Sequence, residues 1–118
     1  MTEENIEKLK KAGIDYDTAL QRFMGSEAMM EKFLKKFLND PSYDELKAAC
    51  KAGDNDAAFG ASHNMNGVCS NFSMTRLQQV SSDACECFRA GDLAGGAAML
   101  PAITAEYEGL VAAIKEVF

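Results

Sequence analysis

The chain has 118 residues, 47% of them hydrophobic and 25% charged, which is the balance of one ordinary globular domain and excludes two. Twelve basic against eighteen acidic side chains leave a net charge of −6, which repels phosphate backbones and anionic lipid and predicts neither a nucleic-acid nor a membrane partner. No apolar run approaches the roughly 20 residues of a bilayer span. The start, Met1 to Asn5, lacks the basic and apolar regions of a secretory signal, so a cytoplasmic protein is expected.

Local preference is helical almost throughout, with only two prolines and long stretches rich in Ala, Leu, Met, Glu and Lys. Gly13, Gly25, Gly53 and Gly91 read as helix C-caps that divide the chain. The pattern predicts helices from about Glu3 to Lys11, Asp17 to Phe23 and Glu27 to Leu38. The third is capped by Ser26 and carries a core stripe of Met30, Phe33, Leu34, Phe37 and Leu38.

Ser42-Tyr43-Asp44-Glu45 matches a capping box opening a helix to about Ala52. Asp54 or Asn55 caps a longer helix through His63 to about Phe72, with Ala58, Ala61, Met65, Val68 and Phe72 inward. A further helix from Thr75 to Ala90 turns Leu77, Val80, Ala84 and Phe88 inward. The last spans Leu93 to Val117 with Ile103, Tyr107, Leu110, Ile114 and Val117 on one face, and Pro101 should kink it or delay its start.

Amphipathic helices joined by short connections predict an all-α antiparallel four-helix bundle with short additional N-terminal helices, one domain over residues 1–118. The four cysteines read as free thiols, and Cys85-Glu-Cys87 diverges too far on a helix to chelate one ion. Met29, Met30, Met65 and Met99 read as core filler. A haem or di-iron site lacks E-x-x-H and C-x-x-C-H sequences, so no metal ligand is assigned.

His63, the only histidine, projects nearly opposite the inward stripe of its helix. Phe59, Gly60, Gly67, Ser70 and Met74 share that outward side if the helix continues that far, and none is charged. Each interior glycine costs a helix about 1 kcal/mol relative to alanine, so two beside one histidine call for a reason. Either another molecule approaches closely there, or the glycines let the helix from Ser42 to Ala52 pack against them. The first reading makes His63 a nucleophile presented to a docking protein, with Phe59, Gly60, Ser70 and Met74 as docking residues. A Cys–His pair with Cys69 is poorly placed, about 120° and more than a turn and a half away.

Ala61-Ser62-His63-Asn64-Met65-Asn66-Gly67-Val68-Cys69-Ser70-Asn71-Phe72 resembles the phosphorylated segment of histidine-containing phosphotransfer (HPt) domains. The likeness continues through Gly13-Ile14-Asp15, Leu20 to Gly25, Phe33 to Phe37, Ala90-Gly91-Asp92 and Leu100-Pro101 with Tyr107. The resemblance implies a helical bundle whose His63 accepts a phosphoryl group from the aspartyl phosphate of a receiver domain, in a response regulator or hybrid histidine kinase, and passes it on. It places Gly67 where a small residue admits the receiver's backbone. Asn66 stands where the family usually carries a lysine, which implies slower transfer or a shorter-lived phosphohistidine. An ungapped reading puts Cys85 where some members carry a glutamine.

A neutral imidazole is nucleophilic without a dedicated base. Phosphoryl transfer also needs positive charge at the phosphoryl oxygens, and the resemblance implies that Mg²⁺ and a lysine come from the receiver, with no cofactor held by this chain. No Gly-rich loop follows a strand and no P-loop occurs, so ATP-dependent kinase activity is not expected. The protein reads as a monomeric phosphoryl carrier rather than a turnover enzyme. The competing reading is a phosphorylation-independent adaptor that binds receiver or kinase domains through the same surface.

Overall fold

Side chains start most of the helices. Thr2, Asp15, Ser26, Asp54 and Asp92 each accept a hydrogen bond from the backbone N–H three residues on, which satisfies one of the donors a helix leaves orphaned. Gly13, Gly25, Gly53 and Gly91 all adopt positive φ and turn the chain between segments. In the computed structural model, which describes residues 1–118, this punctuation yields α1 (Glu3–Lys11), α2 (Tyr16–Arg22), α3 (Glu27–Phe37), α4 (Ser42–Ala52), α5 (Asn55–Phe72), α6 (Thr75–Arg89), α7 (Leu93–Ala97) and α8 (Leu100–Val117).

The protein is a helical bundle. Helices α5 and α6 pack on each other, α4 lies against α5 and α8 against α6, while α3 buries Met30, Leu34 and Phe37 in the same core. Antiparallel pairing of α5 with α6 is fixed at two levels, by Asn55 Nδ2 donating to the Phe88 carbonyl (2.9 Å) and by Ser81 Oγ donating to the Ser62 carbonyl (3.3 Å). Tyr43 of α4 stacks on Tyr107 of α8 at 4.1 Å between centroids, and its hydroxyl is 2.8 Å from Thr104 Oγ1. One continuous core joins Leu9, Met30, Leu34, Phe37, Leu46, Met65, Leu77, Phe88, Ile103, Leu110 and Ile114.

Several expectations need correction. Ser42 does not cap α4. Pro41 holds the cap position with no side-chain hydrogen bond, while Ser42 is buried in the first turn and donates its N–H to Asp40 Oδ1 at 2.9 Å. The side chain that satisfies this helix start is therefore the aspartate before the proline. The C-terminal segment divides into α7 and α8, with Pro101 in the first turn of α8, where its missing N–H costs nothing. Met29 is 45% exposed and not core filler.

The buried face of α5 is Ala58, Ala61, Ser62, Met65 and Cys69, whereas Val68 and Phe72 are only half-buried. That face is rotated toward α6, because the contact there is made by small residues, Ser62 and Ser81, both fully buried. On α6 the same effect buries Ser81 and Cys85 and leaves Val80 half-buried.

An 18-residue window within Leu93–Val117 reaches a mean hydropathy of 1.2, so by length and composition alone the segment passes as a candidate membrane span. Its apolar content is divided between core positions, Ile103, Leu110, Ala113 and Ile114, and small exposed alanines. Within the bundle it serves as a wall of the core.

Candidate functional site

Helix α5 is a poor helix by propensity, with two interior glycines and four asparagines, so its shape is imposed from outside. Asp54 caps it, α4 flanks it on one side and α6 on the other. His63 stands exposed near its middle. The preceding residue is the most constrained of the helix: Ser62 is fully buried, donates its hydroxyl to the Phe59 carbonyl at 3.0 Å, and receives Ser81 from α6 on its own carbonyl. The imidazole is thus mounted on a fixed backbone and projects into solvent.

The two glycines have no internal partner. A Cβ built on either Gly60 or Gly67 meets nothing within 4 Å. Packing against α4 therefore does not account for them. On the helix they lie about 60° and 40° from His63, Gly67 in the groove beside α4 and Gly60 in the one toward α6, so they lower the surface where another molecule reaching the imidazole has to come close.

Two grooves lie along α5, and the first of them includes His63. The first, about 490 Å³, runs between the start of α4 and α5 and is lined by Asp40, Glu45, His63, Asn64, Gly67 and Asn71 among others. It contains two carboxylates and no cation. The second, about 660 Å³, lies toward α6 and is lined by Asp56, Phe59, Gly60 and Arg89 among others. Phe59 neighbours both His63 and Arg89. Its ring is parallel to the imidazole, 7° between planes and 6.0 Å between centroids, and the Arg89 guanidinium carbon lies 5.3 Å from the same ring centroid.

Of the positions expected at the site, His63, Gly60 and Gly67 are exposed and Phe59, Asn66 and Ser70 are half-buried, all on α5. Asn66 Oδ1 is buried without a hydrogen-bond partner, leaving Nδ2 as the accessible end of the amide. Met74 does not belong to this surface: it is fully buried. Helix α5 ends at Phe72, Ser73 turns left-handed at φ 53°, and Met74 is carried into the core. There the backbone pairs with the α1–α2 link, Asp15 N–H donating to the Ser73 carbonyl (2.8 Å) and Thr75 N–H to that of Gly13 (2.9 Å).

Sequence reasoning missed Arg89, Asp40 and Glu45. The available signal for Arg89 was the two-residue link between α5 and α6, which brings the end of α6 back beside the first turns of α5. A Cys–His pair is ruled out by burial: Cys69 is fully buried, and its thiol is pushed up to about 12 by desolvation with a smaller contribution from Asp40. Cys85, at the position of the family glutamine, is also buried. No three His, Cys, Asp or Glu side chains converge in a metal-ligand cluster.

No curated protein and no solved structure matches the chain. A family model does: the one described as Hpt domain matches residues 28–113, from the start of α3 to the second half of α8, and so takes in the whole bundle and both grooves along α5. That extent makes this chain a member of the Hpt domain family.

Proposed function

We propose that the protein is a phosphoryl carrier of a two-component phosphorelay, with His63 as acceptor. The observation that carries this reading is an exposed imidazole beside two helix-interior glycines whose Cβ positions are open space. Glycine there weakens α5 by about 1 kcal/mol at each position and serves no contact inside the protein. Room for the backbone of a partner is the use that remains.

The step balances simply. The lone pair of one ring nitrogen of neutral His63 attacks the phosphorus of an aspartyl phosphate on a receiver domain, forming an N–P bond. The P–O bond to the aspartate breaks and the carboxylate leaves with its electron pair. The positive charge left on the ring is relieved by losing the proton of the other nitrogen to water. Passing the group onward reverses these events on a second receiver.

Each side supplies different parts. The rigid mounting of Ser62 fixes where the imidazole stands, and exposure allows in-line approach. Asn66 Nδ2 is a neutral donor for a phosphoryl oxygen. The chain gathers no ligand set for a divalent ion, so Mg²⁺ is assigned to the receiver, where it neutralises phosphoryl oxygens. The net charge of −6 supports a protein partner over a nucleic acid or lipid surface, and we assign a monomer working in the cytoplasm.

Incubation of the protein and of His63→Ala with a phosphorylated receiver and Mg²⁺, followed by intact mass for acid-labile phosphate, tests the reading. Transfer to the wild type alone is expected. Binding of receivers by both proteins with transfer to neither would identify an adaptor that keeps the docking surface without the chemistry.

A further inference from the structure

We propose that the lysine face of α3 is a second contact for the receiver domain, drawing the anionic surface around its aspartyl phosphate onto this chain; the assignment rests on the carrier reading above and concerns docking, not the chemistry at His63. Lys32, Lys35 and Lys36 are all exposed and fall within about 100° of the helix circumference, turned away from the buried Met30, Leu34 and Phe37. Lys35 meets Glu31 at 3.4 Å with both side chains partly exposed, and Lys32 and Lys36 make no ion pair. In a chain of net charge −6 this face is a local excess of positive charge.

The face runs into the site. Asn39 closes it just past the end of α3, and the next residue, Asp40, lines the groove of His63. Lys36 is held by aromatic contacts that lead to the same place: its ammonium lies 4.8 Å from the Phe33 ring centroid, Phe33 stacks on Phe23 at 5.5 Å, and Phe23 stacks at 6.2 Å on Phe72, the last residue of α5. Asn71, across the groove from Asp40, is about 12 Å along α5 from His63. A partner seated on the imidazole with the usual footprint of about 800 Å² therefore reaches the end of the lysine face as well.

The occupant follows from charge. A domain that holds Mg²⁺ beside an aspartyl phosphate does so with carboxylate and phosphoryl oxygens, so its transferring face is rich in negative groups. The groove of His63 meets that face with two further carboxylates, Asp40 and Glu45, which repel it. Lysines set back from the imidazole attract the same face at longer range. Charges so placed act on the rate of encounter and on orientation, and leave the transfer step itself unchanged.

The test is phosphoryl uptake by this chain from a phosphorylated receiver domain with Mg²⁺, followed by rapid quench over a range of receiver concentrations. The side chains changed are exposed, so the core is untouched. Lys32→Glu/Lys36→Glu is expected to lower the second-order rate constant roughly 3- to 10-fold at about 50 mM salt and to leave the rate at saturating receiver as in wild type. The difference closes at about 0.5 M salt, where screening is strong. Glu31→Gln, which frees Lys35, raises the constant, while Lys10→Glu/Lys115→Glu, an equal change of net charge off this face, keeps it within about 2-fold of wild type. A wild-type constant in Lys32→Glu/Lys36→Glu, or an equal loss in the control pair, overturns the assignment while leaving His63 the carrier. A fall confined to the saturating rate puts the lysines in the transfer step and overturns it too. Absence of label on the wild type from every receiver tried overturns the carrier reading and this assignment together.

Discussion

Ser81 Oγ reaches across the α5–α6 interface to the carbonyl of Ser62, at 3.3 Å with both residues fully buried. This contact lies one residue before His63, so whatever spaces the two helices also sets the height of the imidazole. Ser81→Ala removes one weak hydrogen bond and is expected to cost about 0.5–1.5 kcal/mol. Ser81→Leu inserts side-chain volume between the helices and should cost more, about 1–3 kcal/mol. Denaturant unfolding measures both, and equal stability of the two variants would show that the interface is not closely packed at this level.

Glycine substitutions should separate stability from transfer. At Gly60 and Gly67 an added Cβ meets nothing, whereas at Gly96 it falls against the Phe88 ring. Gly67→Ala is therefore expected to stabilise the isolated protein by about 0.5–1 kcal/mol, or about 3 °C in Tm, and yet to slow phosphate uptake from a receiver. Gly96→Ala should destabilise, by roughly 1–3 kcal/mol. A Gly67→Ala protein that is both more stable and as fast as wild type would remove the reason given for glycine there.

The bundle was legible because its walls are periodic. Met30, Leu34 and Phe37, and Ile103, Leu110 and Ile114, repeat at helical spacing and are all buried. Positive-φ glycines stand at four of the joints. What escaped was structure made by residues that hydropathy does not mark. Ser62 and Ser81 are small and polar, yet they meet fully buried across the α5–α6 contact and rotate α5 so that Cys69 rather than Val68 is fully buried. Ser73 takes a left-handed conformation usually left to glycine or asparagine, so the end of α5 was not visible and Met74 was assigned to the wrong face.

The histidine itself was legible from one helix, since exposure and flanking glycines follow from its spacing alone. Its charge environment was not. Asp40, Glu45 and Arg89 belong to the segment before α4, to α4 and to α6, and only the packing of these elements brings the two carboxylates into the groove of His63 and Arg89 onto the ring of Phe59.

Asn66 offers a direct probe of that environment. Its Oδ1 is buried and unpartnered, a cost of about 1–3 kcal/mol for a fully desolvated acceptor. Asn66→Lys removes this orphan and can lift an ammonium along the helix surface toward the phosphoryl group. The variant is expected to be at least as stable as wild type and to hold several-fold more phosphate on His63 at equilibrium, measured by intact mass. Unchanged occupancy would mean that a cation at position 66 adds nothing to what the receiver supplies.

Burial of ionisable groups sets the alkaline limit of the fold. Desolvation, with a smaller contribution from Asp40, pushes the Cys69 thiol from 9.0 up to about 12. Burial likewise raises the hydroxyls of Tyr16 and Tyr107, aided by Glu27 at the first and Asp44 at the second. In each case the folded value lies above the unfolded one, so both states are protonated and stability is full below the unfolded value. As pH rises past it the unfolded chain ionises first, binds fewer protons than the native state, and stability falls until the folded value is reached. For Cys69 the interval runs from 9.0 to about 12 and corresponds to a loss on the order of 4 kcal/mol. Urea unfolding at pH 7.5 and pH 10.5, which takes in the lower half of that interval, should show about 2 kcal/mol of this loss in wild type and a shallower one in Cys69→Ala, which begins less stable because of the cavity it leaves. Equal losses in the two proteins would show that the Cys69 thiol is not held neutral by the core.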